Sequence, residues 1–486
     1  MQNRNHPITL CNKLSHQWAM WGIILTLPLV FYGVTLLMPT FDDFTYFTAP
    51  YPKSLSERLI PFGSYWRPFD ALFGYFIEHH INLFPFANHL CIFTGHVVNT
   101  FLLYRLLKWL KVNILALNFG ILYFYMAPGV LGTVLDIDSI NQTYSLLFDL
   151  VGLLCYITQK GRWRLIGWIA CTYVATLFKE NGITWFVITP LLAGIFLHHS
   201  KQTAFRFVAV GVLCVLLYAA VRLSFPVNHS PFNHEYIETT IVAKLKDLFA
   251  FIGLTFLPLD YVALVHDRNY LWTTCSAVLT LSFFGYISVK GRQTMFGKTG
   301  LLLLLCVLIA AAPHLATVFT AMHAYGLMPL MVLLWALIIT RLPRKPLLLS
   351  LMTVSLFTMS LIALHHWHET YLSGLRQERI SKQALHALGE PVDSIFSINI
   401  VDGYRKYSTF CVRPTDAFAW GNSVQLRTAY RWPQTWEDVS IPEKQRSRVP
   451  EIADSAYRAG FQKVLLIEHE TVMPVAKRNA QDKQKP

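Results

Sequence analysis

The sequence predicts an α-helical polytopic membrane protein with about eleven transmembrane helices and a small C-terminal extracytoplasmic α/β domain. Three observations carry this. Charged residues make up only 14% of the 486 residues and hydrophobic ones 54%, whereas a soluble globular protein carries about 25% charged residues. The apolar residues fall in long runs, with Trp and Tyr near their ends as in an interfacial belt. Basic residues gather in alternate linkers between those runs, so membrane orientation accounts for much of the net charge of +13 and no nucleic-acid partner is needed.

The first apolar segment, "WAMWGIILTLPLVFYGVTLLM" (Trp18–Met38), is long enough to span a bilayer. Met38-Pro39-Thr40 is a poor cleavage site, so the segment reads as an uncleaved helix rather than a signal peptide. Further apolar segments lie at roughly 86–107, 113–131, 143–158, 165–178, 183–197, 205–225, 271–289, 299–318, 325–341 and 347–364. One set of linkers is basic: Arg4 and Lys13, Lys108 and Lys111, Lys160 to Arg164, Lys201 and Arg206, Lys290 to Lys298, and Arg341 to Lys345. The alternate set is long, acidic or nearly uncharged. The positive-inside rule places the basic set and the N-terminus in the cytoplasm of an inner (plasma) membrane protein. A full crossing at 246–265 would move two basic linkers outside, so that stretch is expected to be re-entrant or to lie in the interface.

Residues 1–370 thus form the transmembrane domain, with an amphipathic first outer loop at 39–85. Residues 371–470 form the α/β domain: a polar helix over Ser373–Glu390, strands at "SIFSINIV" and "KVLLIEH", and a helix at "IADSAYRAGF". Residues 471–486 are a polar tail. The eight Cys are scattered and form no CxxC, so they suggest neither a zinc site nor a disulfide framework.

Candidate chemistry concentrates in the outer linkers. Asp42 and Asp43 open the first loop in "PTFDDFTYF". Two adjacent carboxylates can cap a short helix, pair a general base with its orienter, or hold a divalent metal such as Mg or Mn. From Trp66, apolar residues recur at helical spacing with Arg67, Asp70, Glu78, His79 and His80 between them, an amphipathic helix suited to the membrane surface. Arg67 is either an interface anchor or a phosphate clamp. Lys179 and Glu180 sit in a turn between two apolar segments, where ionisable groups face a protein cavity rather than lipid. "DIDS" (Asp136–Ser139) adds Asp138. "HHWHE" (His365–Glu369) has metal-like composition but stands at a helix exit and reads as an interface segment. P-loop, GxGxxG, HExxH and GxSxG motifs are absent.

Taken in order, these stretches resemble the membrane-embedded glycosyltransferases of the GT-C fold. They are closest to bacterial relatives of the protein O-mannosyltransferases and of the TPR-bearing transmembrane O-mannosyltransferases. "FDDFTYF" is similar to the family's acid motif after the first helix. Ser64–Leu110 resembles its "YRPL…P…FHL.N…H..N..L.Y" pattern through Arg67, Pro68, Pro85, His89, His96, Asn99 and Tyr104. "LFKENGITW" resembles the "KE.GIT" turn, and "MHAYGLMPLMVLL" resembles the "RYLYLP" turn with Tyr325 and Pro329 in place. The resemblance covers about residues 18–345. Gly132 stands where an acid is expected, with Asp136 or Asp138 as substitutes; His323-Ala324 replaces Arg-Tyr; no TPR array follows.

The resemblance implies an inverting hexosyl- or glycosyltransferase that moves a sugar from a polyprenyl-phosphate donor to a glycan, lipid or protein acceptor on the extracytoplasmic face. It implies Asp42 or Asp43 as base, Arg67 and Lys179 on the phosphate, and Glu180, Asp138 and Tyr325 as further substrate-binding residues. No cofactor is required, although the aspartates could hold a divalent metal. Asp42/Asp43, Arg67 and Lys179/Glu180 should then converge on one outward-facing cavity. A transporter or flippase of lipid-linked saccharides is the rival, favoured by Asp149 inside an apolar span. A non-catalytic scaffold is a second.

Overall fold

The computed structural model describes residues 17–39, 43, 54–61, 66–225, 240–316, 321–390, 392–401, 435–468 and 470–477. Each of the expected apolar segments is helical. The helices run α1 (Trp18–Thr35), α2 (Leu55–Leu59), α3 (Pro68–His79), α4 (Phe86–Trp109), α5 (Ile114–Met126), α6 (Pro128–Val134), α7 (Ile140–Thr158), α8 (Gly161–Phe178), α9 (Trp185–Phe196) and α10 (Lys201–Leu223). Then come α11 (Ile241–Thr255), α12 (Tyr270–Lys290), α13 (Lys298–Ala311), α14 (Met328–Arg341) and α15 (Pro346–Leu388). Among the described residues, seven helices are long and apolar enough to cross a membrane alone, or eight if the bent pair α5–α6 makes one span. That is fewer than the expected eleven, because α9 and α13 are short and α8 carries polar residues.

Hydrocarbon offers no hydrogen-bond partners, so polar side chains turn into the bundle. Asn88, His89, His96, Asn99 and Thr100 of α4 are all buried. Apolar side chains such as Leu25, Leu29, Phe205, Leu223, Leu271 and Val289 cover the outside. The helices approach closely through small residues, the usual device where lipid gives no hydrophobic drive to association. Gly211 of α10 is the tightest instance: a Cβ there would overlap the Phe186 carbonyl oxygen of α9.

Helix α11 has fifteen residues, too short to span a bilayer core that needs about twenty. Ile241, Val242 and Phe249 are exposed, while Phe251 and Leu254 are buried. It packs on α6 and on the 3-10 turns Ala312–Ala316 and Ala321–Leu327.

Helix α15 runs unbroken for 43 residues across the boundary expected at 370, joining the last apolar segment to the polar helix as one rod. Its far end covers one face of a four-stranded sheet of order β2-β1-β3-β4, formed by β1 (Ser394–Val401), β2 (Thr435–Pro442), β3 (Lys463–Glu468) and β4 (Thr471–Pro474). β1 is parallel to β2 and β3, and β4 is antiparallel to β3. Ile380, Ala384 and Leu388 of α15 pack against Ile395, Leu465 and Ile467. Helix α16 (Val449–Arg458) covers the opposite face through Val449, Ala453 and Ala456.

Gly211→Ala should destabilise the bundle by about 1–3 kcal/mol through overpacking, read as a lower Tm in detergent. Gly285→Ala is the control, since a Cβ there meets nothing within 4 Å. Equal melting of the two variants would refute the close α9–α10 contact.

Candidate active site

The site lies where the C-terminal ends of α1 and α8 meet the N-terminal ends of α3 and α7. Asp43 follows the exit of α1 and is buried. Its Oδ1 accepts the Ile137 N–H at 3.0 Å, and Asn88 Nδ2 donates to the Ile137 carbonyl at 3.2 Å. The N–H and the carbonyl of Ile137 are thus both held, which fixes the loop that carries Asp138. Asp136 does not face this locus as a free acid. Its Oδ2 accepts the Ser139 hydroxyl at 2.9 Å and its Oδ1 the Asp138 N–H at 3.3 Å, so it shapes the turn. Asp42 lies outside the described residues. The pair expected to hold a metal is therefore described by Asp43 alone, and one oxygen of that carboxylate binds the Ile137 N–H.

Arg67 stands just before α3, whose start is set by Pro68 at the first helical position. Its Nε donates to Glu180 Oε2 at 2.8 Å, and the Trp66 N–H reaches Glu180 Oε1 at 3.4 Å. The Trp66 ring stacks on Tyr218 and Phe69 stacks on Phe178, so the outer-loop helix docks onto the ends of α10 and α8. Helix α3 lies with a different face inward than its pattern suggests. Asp70 is buried and accepts a long contact from Asn141 Nδ2 (3.4 Å), while Phe76 is exposed. Glu78 and Arg58 form an ion pair that ties α2 to α3.

Lys179 ends α8, and Glu180 opens a 3-10 turn, Glu180–Thr184. The Lys179 side chain is buried, and its ammonium makes no hydrogen bond or ion pair among the described residues. Burial first, and then the Arg67 guanidinium, lower its pKa to about 8, against the opposing pull of Glu180, Asp70 and Asp138. These five groups therefore share one electrostatic environment: two cations and three carboxylates with little water. Asn181 Nδ2 contacts Gln142 Oε1 and His314 Nε2, each at 3.4 Å. The His314 and His323 rings stack at 4.4 Å, within the field of Lys179. Beside them a narrow cavity is lined by Gln142, Ser145, Asp149, Asn181 and His314 together with apolar residues such as Leu146 and Trp185, so Asp149 faces protein rather than lipid.

Arg67, Lys179, Glu180 and Asp138 thus come together, with Asp43 reaching the same loop as Asp138. Tyr325 stands apart. It is fully buried, and its hydroxyl is held by His96 Nδ1 (3.1 Å) and Asn99 Nδ2 (3.0 Å). Three of the residues expected from the motif pattern therefore bind one another inside the bundle. Gly132 is explained sterically: a Cβ there would lie 2.6 Å from the Ala321 carbonyl carbon, so no acid fits. Sequence reasoning missed Asp70 and His314. Asp70 carried a signal, as an acid in the first turn of an apolar-flanked helix; His314, in "APHLA", carried none.

The fold is of the GT-C type. A solved structure to which the chain is similar is ArnT from Cupriavidus metallidurans bound to undecaprenyl phosphate, with a TM-score of 0.53 and 10% identity, over 95% of this chain and 98% of that one. No family model and no curated protein matches the chain.

An anionic ligand at Lys179 should bind more weakly as pH rises through 8, because the ammonium loses its proton there. Lys179→Arg should hold its affinity to pH 9.5. The difference should reach roughly tenfold, the worth of one charge-assisted contact. Titration of a short-chain alkyl phosphate by intrinsic fluorescence reads this; matching pH profiles for the two proteins would remove Lys179 from the anion site.

Proposed function

We propose that the protein is an integral membrane glycosyltransferase that moves a sugar from a polyprenyl-phosphate-linked donor to an envelope glycan, lipid or protein acceptor. The observation that carries this reading is the meeting of Arg67, Lys179, Glu180, Asp70, Asp138 and Asp43 at helix ends, on a GT-C fold. A polyprenyl donor keeps its tail in the bilayer and its phosphosugar at the boundary, so its site must be a cavity at the outer helix ends.

In this reading Asp43, with Asp42, takes the proton from the acceptor hydroxyl. That oxygen attacks the anomeric carbon from the side opposite the phosphate. The bond from that carbon to the phosphate oxygen breaks, polyprenyl phosphate leaves, and the configuration inverts. Positive charge grows on the sugar on the way, as in glycoside hydrolysis, and the carboxylates Asp70 and Asp138 suit it. Arg67 and Lys179 receive the leaving phosphate. Guanidinium geometry matches phosphate oxygens, and a buried ammonium gains from a new anion. Glu180 aims Arg67. A divalent ion (Mg or Mn) at Asp42 and Asp43 would add positive charge, but no step here runs through it. The transporter reading drew on Asp149, whose place in the cavity under the site makes a separate transport path unnecessary to explain it.

The linker charges support an N-terminus in the cytoplasm and the site and α/β domain on the extracytoplasmic side. Asp43→Asn is a near-isosteric test, because the amide oxygen can still accept the Ile137 N–H while the base is lost. Asp42→Asn and Asp43→Asn, made singly, should each lower transfer by at least ~100-fold, in the range of a general base, at normal protein levels. Mass spectrometry of envelope glycans and glycolipids from a deletion strain, complemented with each variant, provides the readout. Full complementation by both variants would show that the base lies elsewhere.

A further inference from the structure

A second cluster of ionisable groups lies at the end of α11, separate from the site above. Asp260 is completely buried, and four donors surround it. Trp272 Nε1 donates to Oδ2 at 2.7 Å and the Ala263 N–H to Oδ1 at 3.0 Å. His365 Nδ1 lies 2.7 Å from Oδ2, and His366 Nε2 lies 3.1 Å from Oδ1. The other nitrogen of His365, Nε2, is 2.8 Å from Asp267 Oδ2. Ligand atoms of Asp267, His365 and Glu369 all lie within 4.8 Å of one another.

We propose that Asp267, His365 and Glu369 hold a divalent transition metal of the zinc class, with Asp260 orienting His365 through its Nδ1–H. A carboxylate on one imidazole nitrogen fixes the tautomer and presents the lone pair of the other, the usual support of a metal-bound histidine. His365 and Glu369 are four apart on α15 and so share a face. Asp267 reaches them from a π-helical turn, Ala263–Asp267, which ends at Arg268 in the left-handed region (φ 55°). One imidazole and two carboxylates make a donor set suited to zinc or manganese rather than to magnesium or calcium. Asp267 is exposed, which gives the ion a path in. His366 binds Asp260 and takes no place in the set.

The ion would act as a clamp. Residues 241–267 run from the 3-10 turns beside His314 to the root of α15, and Phe251 packs on His314 at 6.0 Å. Binding Asp267 to His365 and Glu369 fastens this segment to the helix that carries the α/β domain. The proposal does not rest on the transfer reaction, and metal analysis tests it without any activity.

Full-length protein carrying no polyhistidine tag is purified in detergent, incubated with zinc, desalted and measured by inductively coupled plasma mass spectrometry. One zinc per chain is expected. Asp267→Asn, His365→Ala and Glu369→Gln should each fall below a fifth of that, and Asp260→Asn should weaken zinc affinity by roughly 10–100-fold. His368→Ala should match the wild type. Only variants that elute as monodisperse species are compared, and the near-isosteric Glu369→Gln keeps the test open if His365→Ala fails to fold. Wild-type protein without bound zinc, or monodisperse Asp267→Asn and Glu369→Gln that bind as much as the wild type, would overturn the assignment.

Discussion

The Glu180 carboxylate holds the outer loop onto the helical bundle, and the candidate site depends on that one connection. One of its oxygens takes the Arg67 guanidinium and the other the Trp66 N–H, across more than a hundred residues of chain. Without it, α3 would lean on the stacking of Trp66 and Phe69 and on the Asn141–Asp70 contact. Asp70, four residues after Trp66, would lose the backbone position that turns it inward. The contact is half-buried, with 21% and 31% of the two side chains exposed, so its direct contribution to stability is modest. Its value is geometric. It fixes where a guanidinium points at the mouth of a low-dielectric cavity.

The charge pattern around that pair has a direction. Arg67 is already paired, Lys179 is buried with no hydrogen bond or ion pair among the described residues, and the Arg67 guanidinium raises the cost of the Lys179 charge. Such an arrangement is stabilised by whatever anion arrives next, because an incoming phosphate relieves both desolvation and repulsion. Three carboxylates are interspersed with these cations: Glu180 pairs with Arg67, while Asp70 and Asp138 act on Lys179 from the outer-loop helix and from the loop that Asp43 and Asn88 hold at Ile137. His323 stands where the family pattern has Arg, and its ring stacks on that of His314 at 4.4 Å.

Much of this was legible in the sequence. Helices in a membrane announce themselves by length and apolarity, and all the expected segments formed. "DD" after the first helix and "KEN" between two helices stood out because charge is costly there. What failed was the facing of short helices. In a soluble protein an amphipathic pattern tells which side is in. In a membrane protein the apolar side can face lipid and the polar side the interior, so the pattern around α3 fitted two opposite orientations. Asp70 went to the wrong one. The count of spans suffered similarly, since α9 and α13 reach partway and are completed by turns that carry no strong hydropathy. Tyr325 was read as a ligand residue because it sat in a motif, yet the motif preserves a hydrogen-bonded core with His96 and Asn99. "HHWHE" was read as an interface segment because its partners, Asp260 and Asp267, lie about a hundred residues earlier and only folding brings them together.

The continuity of α15 gives that last cluster its importance. At ~1.5 Å per residue a 43-residue helix is about 64 Å long, roughly twice the hydrocarbon core of a bilayer. Half of it must therefore project beyond the lipid, and that half is built into the α/β domain by Arg376 and Arg379 on Glu470 and by the Gln383 side chain on the Val472 N–H. The domain is mounted on a rod rather than tethered by a linker. A rod transmits tilt, so what is attached where it leaves the membrane matters at both ends. At that point His365 and His366 seize Asp260, and Trp367 donates to the Gly33 carbonyl of α1 at 2.8 Å. Three consecutive residues of one helix thereby bind the turn after α11 on one side and the helix that leads toward Asp43 on the other, so the rod that carries the α/β domain is anchored at that level to both.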